Sequence, residues 1–206
     1  MDNEKNNYTA IWNKFSHDYQ LTENQLHAFI RYFELIIEYN QNFNLTALTS
    51  VEDVISFHFE DSLKLSNFFD FSTCNGMADI GTGAGMPGIP LKILFPDLPV
   101  ILIEVTQKKV DFLTYVIKEL DLKNIQVCSF DWRTFLRKTH FSVDLFCARA
   151  SLRPDELLRA FKESSFYKDA TIVYWASAFW VSDDNEKSYI TDHYDYCIKD
   201  RQRSYI

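Results

Sequence analysis

Three observations predict an α/β fold with a mostly parallel sheet and helices on both faces for this 206-residue chain. From about residue 76 onward, short apolar runs alternate with segments of helical periodicity, the pattern of βαβ units. Four of the five glycines (Gly81, Gly83, Gly85, Gly88) fall between one such run and the helix that follows it. The first third has helical periodicity and no strand pattern, which predicts an N-terminal helical cap.

In the cap, Tyr8, Ile11, Trp12, Phe15 and Tyr19 recur at helical spacing. Thr22-x-x-Gln25 reads as a capping box, followed by Leu26, Phe29, Ile30, Phe33 and Ile37 on one face. Residues 40–49 are polar and turn-like. Ser50-x-x-Asp53 then opens a third helix through Val54, Ile55, Phe59 and Leu63. Strands are expected near 77–81, 100–104, 125–128, 143–148, 170–176 and 193–199. Helices are expected near 88–95, 106–120, 132–138, 154–164 and 184–190. Arg203-Ser204-Tyr205-Ile206 begins a seventh strand and is too short to complete it. The expected division is a helical extension over 1–70, packed on a sheet domain over 71–206. Right-handed crossovers would place the C-terminal ends of the parallel strands on one edge, where such sheets bind ligands.

Composition excludes several classes. Apolar residues make up 47% of the chain, yet no run reaches the ~18 residues that span a bilayer, and the N-terminus lacks a signal-peptide core. A cytoplasmic monomer is expected. Cys74, Cys128, Cys147 and Cys197 are scattered without a CxxC pair, so reduced and mostly buried thiols, and no metal site, are expected. The net charge of -8 argues against non-specific coating of nucleic acid. It is unevenly spread. Residues 1–62 carry three basic and ten acidic groups, a net of -7, whereas residues 131–162 carry seven basic and four acidic, a net of +3. That basic stretch is either a local phosphate-binding face or a pair of solvated helix surfaces.

The glycine loop is the strongest chemical signal. No Gly-Lys-Ser/Thr follows it, which excludes a phosphate-cradling P-loop, and Met86 stands where a GxGxxG fingerprint needs glycine. What remains is Asp79-x-Gly81-x-Gly83-x-Gly85, at the first βα turn of a Rossmann-like sheet. Alternating glycines let a backbone lie flat beside a ligand, more than a tight turn alone requires. The pattern resembles the loop of S-adenosylmethionine-dependent methyltransferases, with Asp79 placed to meet the cofactor's ammonium group. Glu104 ends the second strand, Val100-Ile-Leu-Ile-Glu104, about twenty residues later, where an acid accepts ribose hydroxyls. Lys108 and Lys109 occupy the first turn of the next helix, an unfavourable place for cations unless they face an anion.

The wider string Asp-Ile-Gly-Thr-Gly-Ala-Gly-Met-Pro-Gly-Ile-Pro-Leu (79–91) resembles the RsmG family, also called GidB: class I methyltransferases acting on guanine N7 of bacterial 16S ribosomal RNA. Phe43-Asn44-Leu45-Thr46 and His58-Phe-Glu-Asp61-Ser62-Leu63 match further family segments. So do Glu104, Lys108-Lys109-Val110-x-Phe112-Leu113 and Arg149-Ala150. The resemblance implies S-adenosylmethionine bound by Asp79, Gly81, Thr82, Gly83, Gly85, Pro87, Glu104, Asp131, Trp132 and Arg149. It implies 16S RNA or the small ribosomal subunit as partner, with Arg149, His58 and Asp61 on the catalytic or substrate side. Guanine N7 carries a lone pair and no proton, so no general base is needed. The chain lacks both the Asn/Asp-Pro-Pro-Tyr/Phe motif of amino-group methylation and the Pro-Cys dipeptide of pyrimidine C5 methylation.

Two places depart from the family pattern. Asp131-Trp132-Arg133 stands where Arg-Ala/Val-Glu is usual, with Trp132 either against the adenine or in the core. Trp175-Ala176-Ser177 replaces a Lys-Gly after the fifth strand, leaving Arg153 or Lys138 as candidate substitutes. These departures keep two alternatives open: a methyltransferase for a small molecule, and a catalytically impaired cofactor- and RNA-binding assembly factor.

Overall fold

A computed structural model describes residues 2–149, 154–161, 165–177 and 180–206. Helices α1 (Asp2–Asp18) and α2 (Glu23–Asn40) lead the chain. The helix α3 (Val51–Val54) then widens into a π-helical stretch, Ile55–Glu60, before α4 (Asp61–Leu63). The α/β portion follows as β1 (Met77–Ile80), α5 (Gly88–Leu94), β2 (Val100–Ile103), α6 (Gln107–Glu119), β3 (Ile125–Cys128), α7 (Trp132–Lys138) and β4 (Leu145–Arg149). It continues with α8 (Pro154–Ala160), β5 (Thr171–Ser177), α9 (Asp184–Lys187), β6 (Tyr194–Ile198) and β7 (Arg201–Tyr205).

The seven strands lie in the order β3-β2-β1-β4-β5-β7-β6. Those from β3 to β5 are parallel, and β7 is antiparallel to both neighbours. The expected shortfall at the seventh strand is therefore corrected. Five residues suffice, because β7 is inserted between β5 and β6 and gains hydrogen bonds on both sides. Side chains alternate between two cores, as the period of a strand requires. Met77, Val100, Leu102, Leu145, Cys147, Val173 and Trp175 meet the N-terminal helices with α5 and α6. Ala78, Ile80, Ile101, Ile103, Phe146 and Ala148 meet α7 and α8.

The capping box forms as read. Thr22 Oγ1 accepts from Gln25 N, and Thr22 N donates to Gln25 Oε1 at 2.9 Å. Gln25 Nε2 also donates to the carbonyls of Ile93 and Leu94, satisfying the C-terminal end of α5. The apolar stripe of α2 needs correction. Its fully buried residues are Phe29, Tyr32, Leu35 and Ile36, while Ile30, Phe33 and Ile37 are half-buried. Phe33 instead packs edge-on against Trp12 of α1, so α2 is buried along a wider arc than one stripe. Of the four free cysteines only Cys147 is fully buried, and Cys197 is exposed, against the expectation of mostly buried thiols. Among the described residues no helix is long and apolar enough to cross a membrane, and no group of three or more His, Cys, Asp or Glu is placed to hold a metal ion.

Candidate active site

The loop after β1 is tied down on every side. Gly81 N and Thr82 N both donate to Ile103 O, at 2.9 and 3.2 Å, fixing the loop to the end of β2. The fully buried Asp79 holds the two ends together. Its Oδ2 accepts from Thr82 Oγ1 at 2.5 Å and from Gly88 N, the first residue of α5, at 2.8 Å. Gly81, Gly83 and Gly85 take φ values of 65°, 62° and 103°. At Gly85 a Cβ would also stand 2.5 Å from Ile89 and 2.7 Å from the Tyr32 hydroxyl. At Gly88 it would stand 2.9 Å from the Asp79 carboxylate. Only glycine permits either contact. Pro87 lies between them, just ahead of α5.

The N-terminal helices brace this loop. Tyr32 of α2 donates to Ala84 O at 2.5 Å and stacks on Phe59. Replacing Tyr32 by phenylalanine leaves that buried carbonyl without a partner. The expected loss is about 1–3 kcal/mol in a urea titration; an unchanged midpoint would contradict the bracing role.

Asp79 Oδ1 is buried without a hydrogen-bond partner among the described residues. Burial raises the Asp79 carboxyl to about 6, against the opposing effect of the Thr82 and Gly88 hydrogen bonds. Glu104, also buried, is drawn over the loop. Oε2 accepts from Gly83 N at 3.1 Å, and Oε1 accepts from Val105 N and Thr106 N. Lys109 Nζ lies 3.9 Å from Oε2, which explains a cation in the first turn of α6. Two apolar side chains that the sequence reading missed stand at the same edge. Val105, just past β2, is 60% exposed, and Phe130, just past β3, is 47% exposed. Their residue types carried no signal; their exposure together with their place at the strand-tip edge singles them out.

Asp131 caps α7, its Oδ1 accepting from Arg133 N and Thr134 N. Trp132 takes the second of its two expected positions, in the core, with the Arg133 guanidinium 4.5 Å from its ring centroid. Arg133 itself pairs with Glu156 at 3.2 Å.

Arg149, His58 and Asp61 are brought together as one unit. Arg149 leaves the end of β4 and inserts into the widened turn, with its side chain only 12% exposed. It donates to Phe57 O at 2.5 Å, to His58 O at 3.4 Å and to Ser62 Oγ at 3.3 Å, and pairs with Asp61 Oδ2 at 3.2 Å. Asp61 is fully buried. Its Oδ1 accepts from Tyr196 at 2.8 Å and lies 3.3 Å from Arg203 Nε. Both arginine contacts are charge pairs rather than aligned hydrogen bonds.

His58 sits in the π-helical stretch, a feature common at functional sites. Nε2 lies 2.8 Å from Thr46 Oγ1, and Nδ1 lies 3.2 Å from Phe57 O. A neutral ring protonated at Nδ1 fits both partners. The Leu45 and Thr46 amides in turn donate to Asn40 Oδ1, so the Asn-Leu-Thr segment is the socket for this histidine. Burial, reinforced by the Arg149 charge, lowers the His58 ring to about 4. The unfolded chain takes up the proton near 6.5 and the folded chain only near 4, so the stability contributed by the neutral ring is fully present above 6.5 and is lost as pH falls toward 4. The melting-temperature advantage of wild type over His58→Gln is therefore expected to shrink across that window. A constant difference would show that His58 does not titrate there.

Of the residues bearing on the missing family lysine, Ala176 and Lys138 are described. Ala176 is buried in β5, opposite Ser204. Lys138 lies in the last turn of α7, away from the strand tips, and Arg153 lies outside the described residues, as does Ala150.

Known proteins resemble the chain in sequence and in fold. The model of the GidB family, rRNA small subunit methyltransferase G, matches residues 25–186. The chain is 41% identical over 135 residues to the ribosomal RNA small subunit methyltransferase G of Bacillus cytotoxicus, covering 65% of this chain and 56% of that protein. It is 41% identical over 155 residues to the protein of the same name from Lachnoclostridium phytofermentans, covering 74% and 64%. The chain thus matches less than two thirds of the length of either relative. Among solved structures, TrmK of M. capricolum in complex with S-adenosyl-homocysteine is similar in fold, with a TM-score of 0.53 at 13% identity over 71% of this chain and 66% of that one.

Proposed function

Because the chain belongs to the rRNA small subunit methyltransferase G family, we propose that it transfers a methyl group from S-adenosylmethionine to a guanine N7 of 16S ribosomal RNA. The observation that carries this reading is the joining of the Gly83 amide to the Glu104 carboxylate at 3.1 Å, beside a buried Asp79 with one unpartnered oxygen. These residues fit the cofactor chemically. Asp79 offers a buried anion to an ammonium group, and Glu104 an acceptor to ribose hydroxyls. Val105 and Phe130 offer exposed apolar surfaces to a planar base. When bound, S-adenosylmethionine supplies an electrophilic methyl group on a sulfonium sulfur.

The remaining residues align rather than exchange protons. His58, lowered to about 4 with both ring nitrogens engaged, is unsuited to be a general base near neutral pH. Guanine N7 has no proton to remove, so none is required. Arg149 holds the end of β4 to the π-helical stretch and so fixes the rim beside the glycine loop.

Calorimetry with S-adenosylmethionine tests the cofactor, and mass spectrometry of 16S RNA incubated with the protein tests the product. One added N7-methylguanine is expected. Tight cofactor binding with an unchanged RNA would sink the substrate assignment alone.

A further inference from the structure

The residues proposed to hold the cofactor occupy one half of the strand-tip edge. They follow β1, β2 and β3, which leaves the tips of β4, β5 and β7 to the substrate. Because β7 runs antiparallel, its first residues lie at that same edge: Arg203 is opposite Ser177, the last residue of β5. The turn between β6 and β7 and the first residue of β7 therefore carry Lys199 and Arg201 to the substrate half.

We infer that Lys199 and Arg201 grip the phosphodiester backbone of the RNA beside Arg149. This rests on the methyltransferase reading and adds the surface that receives the substrate. The two cations lie over the Phe57 ring, Arg201 at 3.9 Å and Lys199 at 5.1 Å from its centroid. Phe57 is itself nearly buried, and its carbonyl receives Arg149. The ring's negative face holds both charges in place without neutralising them.

Their partners distinguish them from the arginines beneath. Arg149 and Arg203 are committed to the buried Asp61. Arg201 is exposed and has no carboxylate within ion-pair distance among the described residues, and a guanidinium lying on a ring keeps its donor edges available to a phosphate. Lys199 pairs with Asp53 at 3.1 Å, but both side chains are 42% exposed. Such a pair is weak enough to be exchanged for a phosphate. Lys199 and Arg201 thus bring two exposed cations to the strand-tip edge, with Asp53 the carboxylate that a phosphate would displace.

The test uses the full chain and in vitro transcribed 16S RNA, with binding measured between 50 and 200 mM salt. The Lys199→Ala/Arg201→Ala double variant is expected to bind roughly tenfold more weakly at 100 mM salt, with the slope of log affinity against log salt reduced by about 1–2. Arg201→Lys in the otherwise wild-type chain keeps the charge and loses the stacked donor fork, so it should keep the wild-type salt slope while binding more weakly. Calorimetric affinity for S-adenosylmethionine should stay within twofold of wild type. If wild type binds RNA and the double variant matches it in affinity and slope, the inference fails while the functional reading stands. A parallel loss of cofactor affinity would show the turn acting through the fold, and would also overturn it. No RNA binding by wild type would overturn both.

Discussion

Asp79→Asn is expected to make the free protein more stable and to remove cofactor binding. The substitution keeps the oxygen that receives Thr82 and Gly88 and replaces the partnerless oxygen by an amide. What is lost is a charge that burial opposes. The Asp79 carboxyl, at about 6 in the folded protein, lies near 3.8 when unfolded. A raised carboxyl contributes stability below the unfolded value and forfeits it as pH rises through the folded one. At pH 7.5 wild type therefore bears a cost on the order of 3 kcal/mol. Removing it should raise the melting temperature by roughly 6–12 °C. The gain should vanish near pH 4, where both proteins are neutral at this position. Affinity for S-adenosylmethionine should fall more than about 100-fold, the scale of a lost buried charge pair. Calorimetry and thermal melts on the same sample decide it, and a variant that is less stable at pH 7.5 would refute the cost assigned to Asp79.

Asp61→Ala is expected to be the most destabilising single change among the site residues. Two arginines, Arg149 and Arg203, face this carboxylate with their side chains largely out of solvent, and Tyr196 donates to it. Removing one partner of a buried ion pair typically costs about 3–5 kcal/mol, because the other charge stays buried. Here two cations would be stranded together at one place. Urea unfolding should report a loss in that range, and His58 should lose its fixed surroundings because Arg149 no longer holds the adjoining carbonyls. A loss under about 1 kcal/mol would mean that water reaches the arginines in the native state.

Local features of the fold and site were legible in the sequence. The capping box at Thr22, the glycine spacing and the acid at Glu104 each depend on residues a few positions apart, or on one strand end and the next. The widened turn was not legible, because its geometry answers to Arg149, 91 residues away from His58. Nor was the completeness of β7. Strand length read from Arg203 onward ignores Arg201 and Gln202, whose polar side chains carry no alternation signal, although their backbones pair with Cys197 and Ile198. Trp132 was ambiguous for a different reason. An aromatic at a helix start is equally compatible with a ligand face and a core face, and only the packing of Ala78 and Ile80 beneath it decides. Val105 and Phe130 read as ordinary apolar residues at strand ends until their exposure is seen.

The junction at Asp61 also sets an order of events during synthesis. Besides its carboxylate contacts, its carbonyl accepts from Trp175 Nε1 at 3.1 Å and from the Tyr205 hydroxyl at 2.9 Å. A growing chain exposes Asp61 early and delivers Arg149, Trp175, Tyr196, Arg203 and Tyr205 only much later, across a separation of up to 144 residues. Until then the N-terminal helices hold an anion with nowhere to place it, and the turn beside His58 has nothing to close around. The rim around Arg149 can therefore take the form described here only once the β6–β7 hairpin has docked on Asp61.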